Sequence, residues 1–415
     1  MRYLLLLLVF ATGRSFAQDT AQYVIRDRTN SPAQEKKPYV ILISADGFRY
    51  DLADKYQAPN LLRLREQGVQ AAYMQPSFPS LTFPNHYTLV TGLYPAHHGL
   101  VDNRFYDPAK DAWYAIRDTH AVQDSSWYGG TPLWVLAEQE HMLSASYFWV
   151  ASEAAIQGVR PTYYYHFHDV IPIDQRVQAV RDWLQQSPET RPHFITFYFS
   201  EVDHAEHRYG PDSWQTKAAV MQVDASVGKL VSAVSDLGLD INFIFLADHG
   251  MTTVDTLHPM SVPAVVDTNK FTVAVEGTMV HLYAHSSADI KPTFKALKAL
   301  NAKEYNVYLA TDVPDHLHYS KRDDRFGRIG DILLIPTAPH VFAQPGHAPY
   351  GEHGFDPLMP DMRATFYAWG PAFKPHTKIA GFENVDVYPL VAKILGLDIV
   401  DKIDGKLGSL GEILR

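Results

Sequence analysis

Three aspartates, each placed just after an apolar segment typical of a buried strand, could do chemistry together. They are Asp46 after YVILISA, Asp203 after FITFYF and Asp248 after INFIFLA. One aspartate at a strand end is often only a turn residue. In an α/β sheet, however, the carboxyl ends of parallel strands meet at one edge. We therefore expect the three carboxylates to converge on one crevice.

Three histidines extend this set. His207 lies four residues after Asp203, so the two side chains share one face of a helical turn and can hold one ion. His249 directly follows Asp248, and His353 lies in the segment GEHGF. Three carboxylates and three imidazoles form a ligand set for two divalent transition-metal ions, and zinc fits them best. Other histidines are assigned by default to packing, capping or solvent: His86, His97, His98, His204, His258 and His347.

The segment LTFPNHYTLVTG, residues 81–92, has the pattern of a helix start. Thr82 is predicted to be the helix N-cap, with Pro84 in the first turn, where a missing N–H costs nothing. Two metal ions would favour loss of the Thr82 hydroxyl proton and clamp both apical oxygens of an in-line displacement. The helix N-terminus could bind a phosphoryl oxygen, and the Asn103 amide could donate to another. Thr82 is therefore interpreted as both a cap and a nucleophile.

The elements that must position these residues alternate between strand and helix, which predicts a mostly parallel central sheet flanked by helices. Strands are predicted at Tyr39–Ala45, Ser144–Trp149, Phe194–Phe199 and Ile241–Ala247, and helices at Pro59–Gln67, Asp174–Gln186 and Gln215–Leu237. Between Thr252 and Ala343 the pattern changes to an alternating segment, a helix and another strand (Thr272–Ala284, Pro292–Ala299 and Ile329–Ile335). This predicts an α+β insertion, residues 252–343, within one catalytic domain, residues 38–415.

Composition limits the classes of protein and of chemistry that are possible for this chain. The chain has 415 residues, 46% of them hydrophobic, which is enough for a substantial core. Its formal charge of -10 argues against nucleic-acid or anionic-membrane binding, although a bound metal can reverse the local field. No cysteine is present, which excludes disulfides, thiolate catalysis and a thioether-linked lipid anchor.

The N-terminus predicts export. Residues 1–17 read as a signal peptide with cleavage near Ala17, and residues 18–37 read as a polar, loose leader. We find no apolar segment of about 18 residues, so no transmembrane helix is expected. The absence of cysteine favours the periplasm, with secretion as the alternative.

At these residues the sequence resembles the nucleotide pyrophosphatase/phosphodiesterase family of the alkaline phosphatase superfamily, in its bacterial type. The matching segments are ISADGFR, PSFPSLTFPNHYTLVTGLYPAHHGLVDNRFYDP, GGTPLW, FWVASEA, EVDHAEHRYGP, ADHGM and GEHGF. The second is long and ungapped, which makes it highly specific. The resemblance implies an alkaline-phosphatase-like fold and a phosphodiesterase that uses two zinc ions.

The resemblance also assigns roles to individual residues. One zinc would be bound by Asp203, His207 and His353, and the other by Asp46, Thr82, Asp248 and His249. Thr82 would form a phosphothreonine intermediate, which zinc-activated water then hydrolyses, and Asn103 would stabilise the phosphoryl oxygen. The nucleotide pocket would include Phe83, Ile116, Trp149, Tyr164 and Tyr198. One departure is FWVASEA, where the family usually has Trp-Pro-Gly-Ser, so the loop after Trp149 can differ in conformation.

The leading hypothesis is hydrolysis of nucleotide phosphodiester or phosphoanhydride bonds with release of a nucleoside monophosphate. A phosphomonoesterase would need extra cations for the additional phosphate charge, and the segment after Trp149 offers no Lys or Arg pair. A sulfatase would need Cys or Ser where Thr82 stands. A phospholipid head-group (phosphocholine) diesterase stays an alternative on the same core. An inactive binding protein is disfavoured because no ligand is missing. No protein partner can be inferred.

Overall fold

The computed structural model describes residues 20–415, so the expected signal peptide lies outside the described residues. The strands are β1 (Gln22–Val24), β2 (Tyr39–Ala45), β3 (Val69–Ala71), β4 (Met74–Gln75), β5 (Arg104–Asp107), β6 (Ala112–Ala115), β7 (Ser144–Tyr147), β8 (Tyr163–Tyr165), β9 (Phe194–Phe199), β10 (Ile241–Leu246), β11 (Thr252–Thr253), β12 (Phe271–Glu276), β13 (Met279–Ala284), β14 (Tyr305–Leu309), β15 (Ile332–Pro336), β16 (Gly351–Glu352), β17 (Phe366–Trp369), β18 (Thr377–Ile379) and β19 (Phe382–Glu383). The helices are α1 (Leu52–Tyr56), α2 (Pro59–Glu66), α3 (Thr82–Thr91), α4 (Pro95–His98), α5 (Thr119–Gln123), α6 (Leu133–Gln139), α7 (Ile173–Leu184), α8 (Glu201–Tyr209), α9 (Trp214–Val234), α10 (Ser287–Ala299) and α11 (Val387–Leu395).

A nine-stranded mixed sheet forms the centre of the molecule, in the order β1-β8-β7-β9-β2-β10-β17-β3-β18. The five consecutive strands β8, β7, β9, β2 and β10 are parallel, as predicted for the middle of the sheet. Every residue of β2 and β10 is buried. A strand covered on both faces has no solvent side, which explains why these segments are unbroken apolar runs.

The three central strands carry the candidate site. β9 and β10 flank β2, and their ends are in register, with Ala45 opposite Phe199 and Ser44 opposite Leu246. Asp46, Asp203 and Asp248 follow these aligned ends, so the expected convergence at one sheet edge is what the fold produces.

A second, four-stranded sheet lies within the predicted insertion, in the order β12-β13-β15-β14. The alternating segment Thr272–Ala284 is a hairpin, not one strand, because Glu276 pairs with Met279 across the turn at Gly277 and Thr278. Helix α10 packs on this sheet through Leu297, which belongs to a separate apolar cluster with Phe271, Val280, Leu282, Ile332 and Leu334. The insertion therefore has its own small core.

The described part of the leader is not loose, which corrects the sequence-based expectation. β1 pairs antiparallel with β8 and so forms the edge of the central sheet. Asn30 is buried, and its side-chain amide donates to the carbonyls of Pro188 and Arg191. Polar composition alone did not reveal these long-range contacts. Among residues 20–415, no helix is both long and apolar enough to span a bilayer.

Candidate active site

Three buried carboxylates meet at the ends of β2, β9 and β10. Asp46, Asp203 and Asp248 are 1%, 8% and 0% exposed. One oxygen of each, Oδ1 of Asp46 and Asp203 and Oδ2 of Asp248, accepts no hydrogen bond. A buried carboxylate oxygen needs a donor or a cation, because its desolvation is otherwise uncompensated. The donor set and these orphaned oxygens therefore fit bound metal ions.

The first candidate metal cluster combines helix α8 with the segment after β16. Oδ1 of Asp203 lies 3.3 Å from Nε2 of His207 and 3.6 Å from Nε2 of His353. The two Nε2 atoms are 3.1 Å apart. Since residues 203 and 207 are one helical turn apart, α8 aims both side chains at the same point.

The second candidate cluster surrounds Nε2 of His249. Oδ2 of Asp248 lies 2.9 Å from this atom, Oδ1 of Asp46 lies 3.4 Å from it, and Oγ1 of Thr82 lies 3.3 Å from it. The rings of His249 and His353 stack with their centroids 3.6 Å apart. The two clusters are therefore direct neighbours, as a two-metal site requires.

Backbone carbonyls fix all three imidazoles. Nδ1 of His207 lies 2.8 Å from the Gly351 carbonyl, and Nδ1 of His249 lies 2.9 Å from the Gly250 carbonyl. Nδ1 of His353 lies 2.9 Å from the Ser80 carbonyl. Because Nδ1 donates to a carbonyl in each ring, the Nε2 lone pair is left for a metal ion.

The charges of the cluster are strongly perturbed when no cation is present. Burial raises the pKa of Asp46, and the carboxylates of Asp248 and Asp203 raise it further. Burial and the neighbouring imidazoles lower the pKa of His353 to about 3. Burial alone would lower the pKa of His207, but Asp203 and Glu352 outweigh burial and raise it to about 10. Divalent cations would compensate the excess of buried acidic groups.

Thr82 is the first residue of α3, not its cap, which corrects the sequence-based expectation. The cap position is taken by Leu81, in an extended conformation, and no side chain makes a capping hydrogen bond there. The Thr82 hydroxyl instead points toward His249. Pro84 lies in the first turn, as predicted. A hydroxyl that is not engaged with its own helix is free to act as a nucleophile.

Asn103 lies beside the start of the same helix. Its Oδ1 accepts a hydrogen bond from the backbone N–H of Phe83 at 3.1 Å. The side-chain NH₂ is therefore the donor left to face a ligand. The Asn103 carbonyl accepts the N–H of Ile116 at 3.1 Å, so Ile116 lies next to the Asn103 loop with its side chain half-buried.

The proposed pocket aromatics fall into two groups. Phe83 and Tyr198 are partly exposed beside the candidate metal ligands. Tyr198 also donates from its hydroxyl to Oδ2 of Asp46 at 2.5 Å. Trp149 is only 3% exposed, and its Nε1–H donates to the His86 carbonyl. Tyr164 is 6% exposed and stacks on Tyr23. Contact of Trp149 or Tyr164 with a substrate stays a prediction.

Sequence reasoning missed Phe167. This side chain is 48% exposed, and its ring centroid lies 6.0 Å from that of Tyr198 and 5.3 Å from that of Phe148. Its N–H donates to Glu153 at 2.8 Å, which fixes the backbone beneath the exposed ring. Its only sequence signal was its place in the aromatic-rich segment YYYHF, where nothing distinguishes it from its neighbours.

His86 was also missed, having been assigned to packing by default. It is fully buried four residues after Thr82, and its Nδ1 lies 2.9 Å from the Thr82 carbonyl and 3.2 Å from Oδ2 of Asp248. The i, i+4 spacing from Thr82 was the signal for His86 that the sequence offered.

Glu352, at 3.8 Å from Nε2 of His353, is a further acidic neighbour of the candidate metal clusters. His204, by contrast, is exposed on the outer face of α8.

The sequence matches known proteins over most of its length. The profile of the family described as Type I phosphodiesterase / nucleotide pyrophosphatase matches residues 40–356. Ectonucleotide pyrophosphatase/phosphodiesterase family member 1 of Mus musculus is 34% identical over an alignment of 425 residues, gaps included. The alignment covers 97% of this chain and 45% of the mouse protein. A venom phosphodiesterase of Crotalus durissus collilineatus is 32% identical over 400 residues, which cover 93% of this chain and 48% of that protein.

Solved structures also match. Murine ectonucleotide pyrophosphatase/phosphodiesterase 5, as an inactive variant in complex with AMP, superposes with a TM-score of 0.84 at 25% identity, covering 91% of this chain and 100% of that one. The fold is that of the alkaline phosphatase superfamily, as predicted. Within it, the chain belongs to the type I phosphodiesterase/nucleotide pyrophosphatase family. It spans about half the length of the mouse and snake relatives.

Proposed function

We propose that this protein is a two-zinc phosphodiesterase that hydrolyses nucleotide phosphodiester or phosphoanhydride bonds and releases nucleoside monophosphates. The observation that carries this proposal is the buried Asp/His cluster, with three orphaned carboxylate oxygens, next to the Thr82 hydroxyl, which lies 3.3 Å from Nε2 of His249. Asp203, His207 and His353 would hold one ion. Asp46, Thr82, Asp248 and His249 would hold the other. Bound zinc would supply positive charge for deprotonating the nucleophile and stabilising the phosphoryl oxygens.

Thr82, Asn103 and the start of α3 would carry out the other parts of the reaction. Oγ1 of Thr82 loses its proton to solvent and attacks phosphorus, the P–O bond to the leaving group breaks with its electron pair on the leaving oxygen, and a nucleotidyl ester of Thr82, a phosphothreonine-type intermediate, forms. Water then loses a proton and attacks the same phosphorus, the bond to Oγ1 breaks, and Oγ1 takes a proton back as the nucleoside monophosphate leaves. The Asn103 side-chain NH₂ donates to a phosphoryl oxygen in both steps, because its own Oδ1 is already held by Phe83. The start of α3 adds backbone N–H donors.

Aromatic side chains support a nucleoside as the substrate group. Phe83, Phe167 and Tyr198 are partly exposed near the metal ligands, and base–aromatic stacking contributes roughly 1–3 kcal/mol per base. The complex of the inactive murine relative with AMP supports a nucleotide as the ligand. We also propose one catalytic domain spanning residues 38–415, with an insertion at 252–343, and export to the periplasm or beyond on the N-terminal pattern.

The test compares three esters with the same nitrophenyl leaving group, those of thymidine monophosphate, inorganic phosphate and phosphocholine. We expect kcat/KM for the thymidine ester to exceed that for the phosphocholine ester by at least about tenfold, or roughly 1.4 kcal/mol. The purified protein should contain about two zinc ions per chain, and chelation should abolish activity. A preference for phosphocholine would overturn the nucleotide assignment, and full activity without metal would overturn the two-zinc mechanism.

A further inference from the structure

The insertion holds the loop that carries Asn103. The Tyr319 hydroxyl donates to the Val101 carbonyl at 2.6 Å. His281, on β13, places Nε2 2.9 Å from Oδ2 of Asp102. Both side chains of this His–Asp pair are fully buried. The two residues that precede Asn103 are therefore tied to a part of the fold that contributes no predicted metal ligand.

His281 has a hydrogen-bond partner at each ring nitrogen. Nδ1 lies 2.8 Å from the Ile329 carbonyl, and Nε2 faces the Asp102 carboxylate. The carbonyl can only accept a hydrogen bond, so Nδ1 donates to it, and Nε2 is the ring atom left for the Asp102 carboxyl group. His281 is therefore held at both ring nitrogens, by the Ile329 carbonyl on one side and by Asp102 on the other, which fixes the orientation of the buried ring.

The other oxygen of Asp102 continues the connection. Oδ1 accepts the backbone N–H of Asn103 at 2.6 Å, and the N–H of Arg104 lies 3.4 Å away. Asn103 is thus fixed at two points, through its backbone N–H by Asp102 and through its Oδ1 by Phe83. A shift of Asp102 would move the amide that is directed at the substrate.

We propose that His281 is a positioning residue for the reaction, acting through Asp102 to hold the Asn103 amide against the phosphoryl group. The proposal rests on the proposed function, in which Asn103 binds a phosphoryl oxygen. It gives the insertion a direct part in catalysis without any contact between the insertion and the substrate.

A double-mutant cycle tests this coupling. His281→Gln is measured with the thymidine nitrophenyl ester in the wild-type and Asn103→Ala backgrounds. A small displacement of a catalytic group can cost on the order of 100-fold, so we expect His281→Gln to lower kcat/KM by roughly 10- to 100-fold in the wild type. In the Asn103→Ala background it should have almost no further effect, because the group it positions is gone.

His193→Gln is the matched control. His193 is also fully buried, and its Nδ1 lies 3.2 Å from the Pro38 carbonyl, at the start of β9 and so at the opposite end of the sheet. Any effect of this variant should be the same factor in both backgrounds. Asp102→Ala, run through the same cycle, covers the case in which His281→Gln does not fold.

The outcomes separate this inference from the proposed function. If Asn103→Ala is impaired and His281→Gln lowers kcat/KM by the same factor in both backgrounds, the positioning role is overturned while the function stands. If Asn103→Ala is fully active, the role of Asn103 and this inference both fall. Failure of both His281→Gln and Asp102→Ala to fold would also overturn the inference, since the pair would then be purely structural.

Discussion

At the scale of single residues, each candidate ligand histidine uses one ring nitrogen for a backbone hydrogen bond and turns the other toward the metal site. The carbonyls of Gly351, Gly250 and Ser80 hold the three Nδ1 atoms. Backbone acceptors cannot be removed by substituting a side chain, so the ring orientation depends on the fold itself. The Nε2 atoms of His207 and His249 are therefore directed at the carboxylates before any metal binds.

Zinc binding should release a proton, because the metal-free protein holds His207 with a pKa raised to about 10. Near neutral pH the ion must displace this proton, so zinc affinity should rise by about tenfold per pH unit between pH 6 and 8. Calorimetry in two buffers of different ionisation enthalpy measures the released proton. Glu352→Gln removes one carboxylate that raises this pKa, so the pH above which zinc uptake releases no proton from His207 should be lower in this variant. Zinc uptake without proton release would contradict the assignment.

Thr82 should be required for covalent catalysis. Thr82→Ala should lower kcat/KM by several orders of magnitude, since it removes both the nucleophile and one metal contact, whereas Thr82→Ser keeps a hydroxyl and should retain part of the activity. Acid-quenched reactions should carry nucleotidyl groups on the peptide that contains Thr82. Near-normal rates in Thr82→Ala would show that this side chain has no catalytic role.

At the scale of elements, the loop after β7 is the part of the site under backbone strain. Phe148 and Ala151 have φ values of 63° and 71°, in the left-handed region that disfavours side chains. The resemblance of this loop to the family's Trp-Pro-Gly-Ser segment implies that Ala151 stands at a glycine position. The Ser152 hydroxyl donates to the Trp149 carbonyl at 2.8 Å and helps to hold the turn. The loop thus keeps a glycine-like conformation without the glycine.

Ala151→Gly should therefore be less destabilising than Ala154→Gly. Both alanines are buried, at 1% and 0% exposure. Both changes remove a methyl group and raise the conformational entropy of the unfolded chain. Only Ala151→Gly also relieves a left-handed conformation, a difference of roughly 1–2 kcal/mol. Urea unfolding of the two variants measures it. Equal destabilisation would mean that Ala151 is not strained.

The two aromatic elements that border the site should have separable roles. Phe167 offers an exposed ring, whereas the Tyr198 hydroxyl donates to Asp46, a candidate metal ligand. Phe167→Ala should lower kcat/KM for the thymidine nitrophenyl ester by about tenfold and leave methyl nitrophenyl phosphate largely unaffected. Tyr198→Phe keeps the ring but loses the hydroxyl, so it should slow both substrates alike. If Phe167→Ala slowed both substrates and Tyr198→Phe slowed only the thymidine ester, the two side chains would have the opposite roles.

At the scale of the whole molecule, the buried acidic groups lead us to expect that the stability of the fold depends on bound metal. Asp46 and Asp248 share one group with His249 in which all ligand atoms lie within 4.8 Å of one another. Like charges at such separations destabilise the native state unless a cation lies between them. The metal-free protein should consequently be compact but less stable than the loaded one.

Zinc should therefore raise the melting temperature. A site with free zinc at 100 times its Kd stabilises the native state by about 2.7 kcal/mol. Scanning calorimetry with and without chelator measures the shift. His353→Gln removes one ligand and should reduce it, whereas His347→Gln changes an exposed histidine outside the clusters and should not. A melting temperature that is insensitive to zinc would contradict this picture.

Local patterns in the sequence determined the elements and the kind of fold. The bounds of β2 and β9 agree with the apolar runs, and α2, α7 and α9 agree within a few residues. This succeeds because burial on both faces gives a strand a continuous apolar run, and because Pro and Gly mark helix ends. The alternation of strand and helix then predicted the parallel centre of the sheet and the edge at which Asp46, Asp203 and Asp248 meet.

Only the tertiary structure decided which side chains face the site. Trp149 and Tyr164 are buried while Phe167 is exposed, and the residues before strand β2 add a strand to the sheet edge. The Asp102–His281 pair joins positions 179 residues apart. Such contacts depend on loop paths and long-range pairing, for which neither periodicity nor composition carries a signal. The sequence therefore determined the candidate ligands and the edge of the sheet at which they meet. Tertiary packing determined which aromatic side chains line the site and which buried pairs hold its loops in place.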